Sequence, residues 1–373
     1  MMKLTNSSFG FFIPSIFLLL MIGCSNPPQD CSDVVEPVTV TDTVKWDTDD
    51  PAIWINQNDV SQSLILGTDK DEDGALYVFD LDGNVIEEKT IRNINRPNNV
   101  DVEYGFMMNG KEIDIAVLTE RYDNKLRVFS LPDMKAIDNG GIQAEGLVAP
   151  MGISLYKRPS DGAIFAIVSP KEGSTENYLW QFLLKDDGNG NIIGEVVRRF
   201  GNFSGIKEVE AIAVDDQLGY VYYSDEQFGV RKYNADPSAP DADKELGIID
   251  TKDYWEDNEG ICIYPTGEGT GYILVSDQSA NRFRIYLREG TPAIVDPEDP
   301  EDNEPAKPHQ HKLVKIVNTM TNNSDGSEAT NVNLGPKFPN GMFVAMSDDK
   351  TFQIYSWDDI IGKNVLSTEN YGL

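Results

Sequence analysis

The stretch Leu64-Ile65-Leu66-Gly67-Thr68, which leads to Phe79, identifies the architecture because the same phrase recurs along the chain. Each copy has an apolar strand, a short polar turn with Thr or Ser, and a second strand that closes on an aromatic residue. The closing aromatics of the six copies are Phe79, Phe129, Phe182, Tyr233, Tyr286 and Tyr355, at intervals of 50, 53, 51, 53 and 69 residues. This near-constant spacing indicates a domain built from repeats.

A period near 50 residues in a β-rich sequence is typical of propeller blades with four strands each, so six copies predict an all-β, six-bladed β-propeller. The segment Val38 to Val44 is expected to close the ring by adding a strand to the last blade. The longer final interval contains an acidic, Pro-rich insertion, Pro292 to Pro308, which we expect to be an exposed loop outside the ring. A β-sandwich with chance spacing is the alternative, but its strands would share no common phrase.

Composition restricts the partners of this protein. The 373 residues include 62 acidic and 31 basic side chains, which give a net charge of −31. Such a surface repels nucleic acid, so we expect no nucleic-acid partner. A small phosphorylated ligand is compatible with this charge if Lys, Arg or bound metal reverses the potential in one cleft. The excess of carboxylates favours calcium, which prefers oxygen ligands.

The N-terminus has the features of an export signal. Lys3 precedes an apolar run over residues 9–22, and Gly23 and Cys24 follow it. We interpret residues 1–23 as a lipoprotein signal peptide, Cys24 as the lipidated residue and residues 24–36 as a polar tether. The protein would then be exported, anchored by lipid to the bacterial membrane or cell surface, and otherwise monomeric. Ordinary signal cleavage and a membrane anchor are the alternatives.

Several catalytic classes lack their residues. The chain has two histidines, His309 and His311, both beside the Pro-rich insertion. A His-dependent phosphatase, a His-ligated zinc centre and a Ser-His-Asp triad are therefore poorly supported. Neither Cys31 nor Cys262 precedes an Arg-containing phosphate loop, and Cys262 is interpreted as a buried small hydrophobe. Among the classes of catalytic mechanism considered, chemistry based on carboxylates and a metal ion is the one that the sequence still supports.

Six further motifs resemble those of the β-propeller, alkaline, calcium-dependent phytases. The first three are Asp47-Thr48-Asp49-Asp50-Pro51-Ala52-Ile53-Trp54, Arg96-Pro97-Asn98-Asn99-Val100-Asp101-Val102 and Lys171-Glu172-Gly173. The others are Val209-Glu210-Ala211-Ile212-Ala213-Val214-Asp215-Asp216, Asp257-Asn258-Glu259-Gly260 and Leu334-Gly335-Pro336-Lys337-Phe338-Pro339-Asn340-Gly341. Because the motifs occur in order at blade spacing, the resemblance extends over about residues 41–355 and places a phytase domain over residues 37–373.

The resemblance also implies the site residues. In that family, acidic side chains from several blades meet at the axial channel and hold calcium ions that bridge the substrate phosphates. The implied calcium ligands are Asp49, Asp50, Asp101, Glu210, Asp257, Glu259 and Asp325, of which Asp49, Glu210, Asp257 and Glu259 form the catalytic centre. The implied substrate-binding residues are Lys70, Arg121, Lys171, Glu172 and Gln278. For any one acid a turn cap is the alternative, and for any one Lys a solvated surface charge.

Three places depart from the family pattern. Asp69, Asp71 and Asp73 precede Gly74, and Asp80 follows, which resembles either a surface calcium loop or a plain acidic hairpin turn. Met151 stands where the family commonly has Tyr. Thr319, Asn322 and Asn323 stand where acids are usual, so the resemblance gives less support to one of the stabilising calcium sites.

The expected function is a calcium-dependent phosphomonoesterase that converts phytate, inositol hexakisphosphate, to lower inositol phosphates and inorganic phosphate. One alternative is a surface lipoprotein of propeller fold that binds a phosphorylated or sugar ligand without cleaving it. Another is a propeller lactonase, which would need few acids around one calcium and no basic rim.

Overall fold

The computed structural model describes residues 1, 34–295 and 303–362. Two short strands come first, β1 (Val34–Val35) and β2 (Thr39–Val40). Blade 1 contains β3 (Thr48–Trp54), β4 (Leu64–Asp69), β5 (Gly74–Phe79) and β6 (Ile91–Ile94). Blade 2 contains β7 (Pro97–Met108), β8 (Lys111–Glu120), β9 (Lys125–Leu131) and β10 (Lys135–Ala136). Blade 3 contains β11 (Pro150–Lys157), β12 (Ile164–Pro170), β13 (Glu176–Asp186) and β14 (Ile192–Asn202).

The second half repeats this plan. Blade 4 contains β15 (Ile212–Asp215), β16 (Tyr220–Asp225), β17 (Gly229–Asn234) and β18 (Gly247–Asp250). Blade 5 contains β19 (Asn258–Pro265), β20 (Gly271–Asp277), β21 (Arg282–Leu287) and β22 (Leu313–Thr319). Blade 6 contains β23 (Ser327–Thr330), β24 (Met342–Ser347) and β25 (Thr351–Ser356), and the short helix α1 (Trp357–Ile361) follows it.

Each blade is an antiparallel meander, and the described strands form six such sheets. The prediction of an all-β, six-bladed propeller is confirmed. β2 is the fourth strand of blade 6, where Thr39 pairs with Ile354 and Val40 with Gln353. The N-terminal segment therefore closes the ring as predicted, and the last blade is built from both ends of the domain.

The tether begins its contact with the propeller earlier than we predicted. Val34 and Val35 of β1 pair in parallel with Asn318 and Thr319, on the outer edge of blade 5. These apolar residues extend an existing sheet, so the last part of the predicted tether pairs with blade 5, and the tether boundary itself stays a prediction. Cys24, Cys31 and the signal segment lie outside the described residues. Among the residues that are described, no helix is long and apolar enough to cross a membrane.

The core is divided among the six interfaces between adjacent blades, each with its own cluster of buried apolar side chains. Each closing aromatic lies in a different cluster, packed against the preceding blade, and all six are at most 5% exposed. The recurring aromatic is thus what fills the space between two twisted sheets. Cys262 is buried in the cluster between blades 5 and 6, as predicted.

The Pro-rich insertion joins β21 to β22, the two outermost strands of the blade 5 meander. Its described parts pair with each other, Thr291 with Lys307 and Ile294 with Glu304, and add no strand to any blade. Residues 296–302 lie outside the described part of the chain. The described parts therefore lie outside the ring, in agreement with the prediction.

Candidate active site

The polar turn of the repeat begins with a hydroxyl that links one blade to the next. The last residue but one in the second strand of blades 2 to 5 is a Thr or Ser that donates a hydrogen bond to a main-chain carbonyl in the following blade; these residues are Thr119, Ser169, Ser224 and Ser276. The acceptors are Met151, Val209, Glu259 and Ser324. Glu259 is one predicted site residue, and Val209 and Ser324 directly precede two others. The recurring hydroxyls therefore hold the segments that carry the site.

The acid after the hydroxyl has a structural task. The carboxylate of Asp69 accepts hydrogen bonds from the main-chain N–H groups of Trp46 (2.9 Å) and Asp47 (2.7 Å). The equivalent acids Glu120, Asp225 and Asp277 accept in the same way from Asn95, Ser204 and Trp255. These acids cap the loops that enter the inner strands, so they are turn caps and not site ligands.

This arrangement also answers whether the residues from Asp69 to Asp80 form a calcium loop. Asp69 ends β4 and pairs with Ala75 at the start of β5, whereas Asp80 follows the other end of β5, about 20 Å away for six extended residues. Asp80 accepts hydrogen bonds from Asp82 and Asn84 in its own turn. The acids do not converge on one point, so the segment is a plain acidic hairpin.

The residue after the cap faces the channel mouth. In blades 1, 2 and 5 this residue is Lys70, Arg121 or Gln278, and Lys171 holds the equivalent place in blade 3, where Pro170 replaces the acid. All four are predicted substrate-binding positions. Burial lowers the pKa of Lys171, and the nearby charge of Arg121 lowers it further. Burial also lowers the pKa of Arg121, with a contribution from the positive charge of Arg96. Four cationic side chains therefore lie close enough to influence one another, and Arg96 is one that the sequence analysis did not assign.

Asp49, Glu210 and Asp325 form the first carboxylate triad, from blades 1, 4 and 6, with ligand oxygens that all lie within 4.8 Å of one another. Lys70 Nζ lies 2.5 Å from Asp49 Oδ1 and 3.2 Å from Asp325 Oδ2. Gln278 donates to the other oxygen of Asp325. Burial raises the pKa of Asp49 well above its usual range, and Lys70 opposes that shift. Burial by itself would lower the pKa of Lys70, but the surrounding carboxylates raise it well above its usual range.

Asn98 joins this triad to the basic side of the site. Its amide nitrogen donates to Asp49 Oδ2 (2.9 Å), and its amide oxygen accepts from Arg121 (3.2 Å). Asp49 is thus held from two directions while Arg121 keeps most of its donors for other partners.

Glu226, Asp257 and Glu259 form the second triad, again with oxygens within 4.8 Å of one another. Glu226 follows the cap Asp225 and is the blade 4 equivalent of Lys70 and Gln278. The sequence analysis did not assign Glu226. Alignment of Ser224-Asp225-Glu226 with Ser276-Asp277-Gln278 would have found it.

Burial governs the charge of this triad. It raises the pKa of Glu226 to about 7 and that of Glu259 well above its usual range. Within the described chain, Glu226 Oε1 and Glu259 Oε2 are buried and have no hydrogen-bond partner. Buried carboxylates in such a group are stabilised by a cation.

Two glycines allow the inner strands to approach closely enough to build the site. A Cβ on Gly152 would lie 2.1 Å from the main-chain oxygen of Glu210. A Cβ on Gly326 would lie 2.6 Å from the main-chain oxygen of Asp49. Both distances are shorter than any real contact, so a side chain at either position would separate residues of the first triad.

Asp50 and Asp101, which we predicted as metal ligands, belong to neither triad. They line a cavity of about 190 Å³ in the channel, together with Glu103, Asp216 and Glu328. Asp50 accepts a hydrogen bond from the main-chain N–H of Val100, and Asp101 accepts from Ser154, Leu155 and Val102. Burial raises the pKa of Asp101 to about 6. Their side chains face this cavity because successive residues of a strand point to opposite sides.

The remaining candidates differ in their surroundings. Glu172 is exposed at the rim, and its role in substrate binding stays a prediction. Lys171 pairs with Glu208. Met151 is completely buried, so its side chain does not replace the surface contact of a Tyr.

The Asn pair near Thr319 links neighbouring loops through its side-chain amides. Asn322 and Asn323 both donate to the carboxylate of Asp348, with the shorter bond, 2.7 Å, from Asn323. Asn281 donates to Asn322 Oδ1. Amide groups therefore link the segments that carry Asn281, Asn322 and Asp348, and the reduced support for a calcium site there stays a prediction.

The histidines lie in neither triad. His309 and His311 contact the rings of Tyr220 and Tyr222 on blade 4, and His311 lies 3.3 Å from Lys232 Nζ. Burial lowers the pKa of His311 to about 4, so its ring is neutral. Both histidines therefore pack against blade 4 and not beside the carboxylates of either triad.

A six-bladed propeller whose channel mouth combines two carboxylate triads with a cluster of Lys and Arg defines a propeller hydrolase of phosphate esters. A family model described as Phytase matches residues 29–363. The 3-phytase of Bacillus subtilis (strain 168) is 30% identical over 332 residues, which cover 84% of this chain and 80% of the relative. The chain belongs to the phytase family, as its motifs indicated, and the prediction of a phosphoric monoester hydrolase is confirmed.

Proposed function

We propose that this protein uses calcium to hydrolyse phytate to lower inositol phosphates and inorganic phosphate. The observation that carries the proposal is the meeting of three bases, Lys70, Arg121 and Lys171, with the triad of Asp49, Glu210 and Asp325 at one channel mouth. Phytate is a small, strongly anionic molecule, and it needs cations on several sides at once. The similarity to a 3-phytase supports the same substrate class.

The donor set of both triads fits calcium. All six side chains offer carboxylate oxygens, and no His or Cys joins them among the described residues. Hard oxygen ligands are the preference of calcium, whereas zinc and copper favour nitrogen or sulfur. Glu226 and Glu259 also have buried oxygens without hydrogen-bond partners, which a bound cation would stabilise. Calcium held there would supply the positive charge that lets a polyanion approach six carboxylates.

The chain's own residues bind and orient the substrate. Arg121 presents guanidinium donors in a planar fork that matches phosphate oxygens, and Lys171 supplies a compact charge beside it. Asn98 fixes Arg121 relative to Asp49, so the phosphate and the carboxylates are placed by one network. Water is the second reactant, and hydrolysis transfers the phosphoryl group to it while the inositol oxygen leaves with a proton.

A matched pair of variants tests the proposal. Phosphate release from phytate should occur in excess calcium and stop in a calcium chelator. Glu210→Gln removes one ligand charge, so its activity should fall and recover in part as calcium is raised. Arg121→Ala removes a phosphate donor, so its activity should fall on the order of 10²–10³-fold with no recovery. Lys185→Ala, which breaks an exposed pair with Glu195 on blade 3, is the control with unchanged activity.

The alternatives predict other results. Phytate binding without phosphate release would favour the binding lipoprotein. Lactone hydrolysis that survives Arg121→Ala would favour the lactonase. Equal calcium recovery in Glu210→Gln and Arg121→Ala would show that the two roles are assigned wrongly.

Export and lipid anchoring at Cys24 complete the proposal. Cys24→Ala should abolish the lipid modification and release the protein from membranes, because the Cys sulfur carries the anchor. Membrane fractionation of the parent and the variant checks this, and identical fractionation would contradict it.

A further inference from the structure

Lys207 places its ammonium inside the second carboxylate triad. Its Nζ lies 2.6 Å from Asp257 Oδ2, 2.8 Å from Glu226 Oε2 and 3.6 Å from Glu259 Oε1. One side chain therefore contacts all three acids that offer oxygens to a metal ion. The sequence analysis gave Lys207 no role.

The triad needs this charge. Glu226 and Glu259 are at most 4% exposed, so water screens their mutual repulsion poorly. Gln227 donates to the remaining oxygen of Asp257, but an amide carries no net charge. Lys207 is the base that offsets the negative charge of these three groups.

Lys207 can also leave the triad without a change in the fold. Its side chain is 37% exposed, compared with 11% for Lys70 in the first triad. The loop on either side is fixed by Ser204, which bonds to Asp225, and by the carbonyl of Glu208, which accepts from Glu226. Rotation of a long, solvent-facing side chain on a fixed loop is a local movement on a fast timescale.

We propose that Lys207 is a tethered competitor for calcium, which occupies the Glu226, Asp257 and Glu259 triad in the metal-free protein and must be displaced when calcium binds. The inference rests on the calcium dependence proposed above. The ammonium and calcium require the same carboxylate oxygens, so the two cannot bind together. The apparent calcium affinity then equals the intrinsic affinity of the triad multiplied by the fraction of molecules in which the lysine has left it. Lys207 would thus set the calcium concentration at which this site fills.

The proposal predicts opposite effects on two measurements. In Lys207→Met, which keeps the length of the stem but removes the charge, calcium should bind this site about tenfold more tightly. The same variant should melt at a lower temperature than the parent in excess chelator, because the triad has lost its cation. If Lys207 had only a structural role, Lys207→Met would lower both the calcium affinity and the melting temperature in chelator.

Isothermal titration of the full chain with calcium and thermal melting in chelator provide these measurements. Lys207→Arg keeps the charge and should stay close to the parent in both. Lys185→Met removes a lysine from an exposed pair and should change neither. In a Glu226→Gln background, Lys207→Met should have a smaller effect on calcium affinity, which identifies the site concerned.

Each outcome distinguishes the two proposals. Unchanged or weaker calcium binding in Lys207→Met, with a parent that binds calcium and hydrolyses phytate, overturns the role of Lys207 alone. Absence of calcium binding in both parent and variant overturns the competitor together with the calcium dependence. Tighter binding in Lys207→Met from a parent that does not cleave phytate supports the competitor and contradicts the proposed activity.

Discussion

The hydroxyl of Ser224 in blade 4 donates a 2.6 Å hydrogen bond to the main-chain carbonyl of Glu259 in blade 5. Ser169 makes the equivalent bond of 2.5 Å to Val209, next to Glu210. A side chain near the end of the second strand of one blade thus fixes the main chain that carries a carboxylate of the next blade. Site geometry and the joint between blades are maintained by the same contact.

Removal of this hydroxyl should affect both stability and the site. Ser224→Ala leaves a buried carbonyl without its donor, so the free energy of unfolding should fall by roughly 1–3 kcal/mol. Calcium affinity should fall as well, because Glu259 is no longer held. Ser224→Thr keeps the hydroxyl, as Thr119 does in blade 2, and should restore both. Urea unfolding and calcium titration measure the two effects, and full calcium affinity in Ser224→Ala would contradict the positioning role.

Calcium removal should lower the melting temperature. A ligand that binds only the folded chain stabilises it by about 2.7 kcal/mol at a hundredfold excess over its dissociation constant. Scanning calorimetry with calcium and with chelator measures the difference. Glu226→Gln should show a smaller difference than the parent, because one triad has lost a ligand charge. An unchanged melting temperature of the parent in chelator would count against calcium binding.

The channel carboxylates should make stability depend on pH. Burial raises the pKa of Asp216 to about 9, with a further contribution from the neighbouring Glu103, whose own pKa burial raises to about 7. These two carboxyl groups therefore hold more protons in the folded chain than in the unfolded chain between about pH 4 and 9. Their contribution to the free energy of unfolding falls as the pH rises through this window.

Asp216→Asn removes the charge but keeps the shape, so its melting temperature should exceed that of the parent at pH 9. The difference between the two proteins should be small near pH 4, where Asp216 is protonated in the folded parent and about half protonated in the unfolded parent. Melting curves in chelator from pH 4 to 9 test this. The control is Asp187→Asn, an exposed acid whose pKa is lowered by the N–H of Asn191, and it should show no gain at pH 9. An Asp216→Asn variant that melts no higher than the parent at pH 9 would contradict the expected sign.

Gly152 should tolerate no side chain. A Cβ at this position meets the carbonyl of Glu210 at 2.1 Å, so Gly152→Ala must move the main chain of blade 4. We expect a loss of roughly 1–3 kcal/mol in stability, typical of overpacking, and a weaker calcium site because Glu210 is displaced. Gly267→Ala is the control, since its Cβ would meet the terminal oxygen of Thr270 at 3.2 Å. Parental calcium affinity in Gly152→Ala would show that Glu210 does not depend on this close approach.

The sequence by itself determined the number of blades and the closure of the ring. Both follow from contacts that recur at a fixed spacing, because each aromatic such as Phe79 packs against the preceding blade in the same way. It also identified the rim positions Lys70, Arg121 and Lys171, since each follows an equivalent strand. These properties are local to one repeat, so a single copy contains the information.

Which acids act together was decided only by the tertiary structure. Asp69 caps a loop while its neighbour Lys70 reaches the first triad, and a pattern of residue types does not separate the two roles. Glu226 joins Glu259 from another blade, and Lys207 reaches both from a loop without any motif. Asp50, adjacent to Asp49, faces the channel cavity instead. The physical reason is that a carboxylate site depends on distances of a few ångströms between side chains from different blades, and only the closed ring sets those distances.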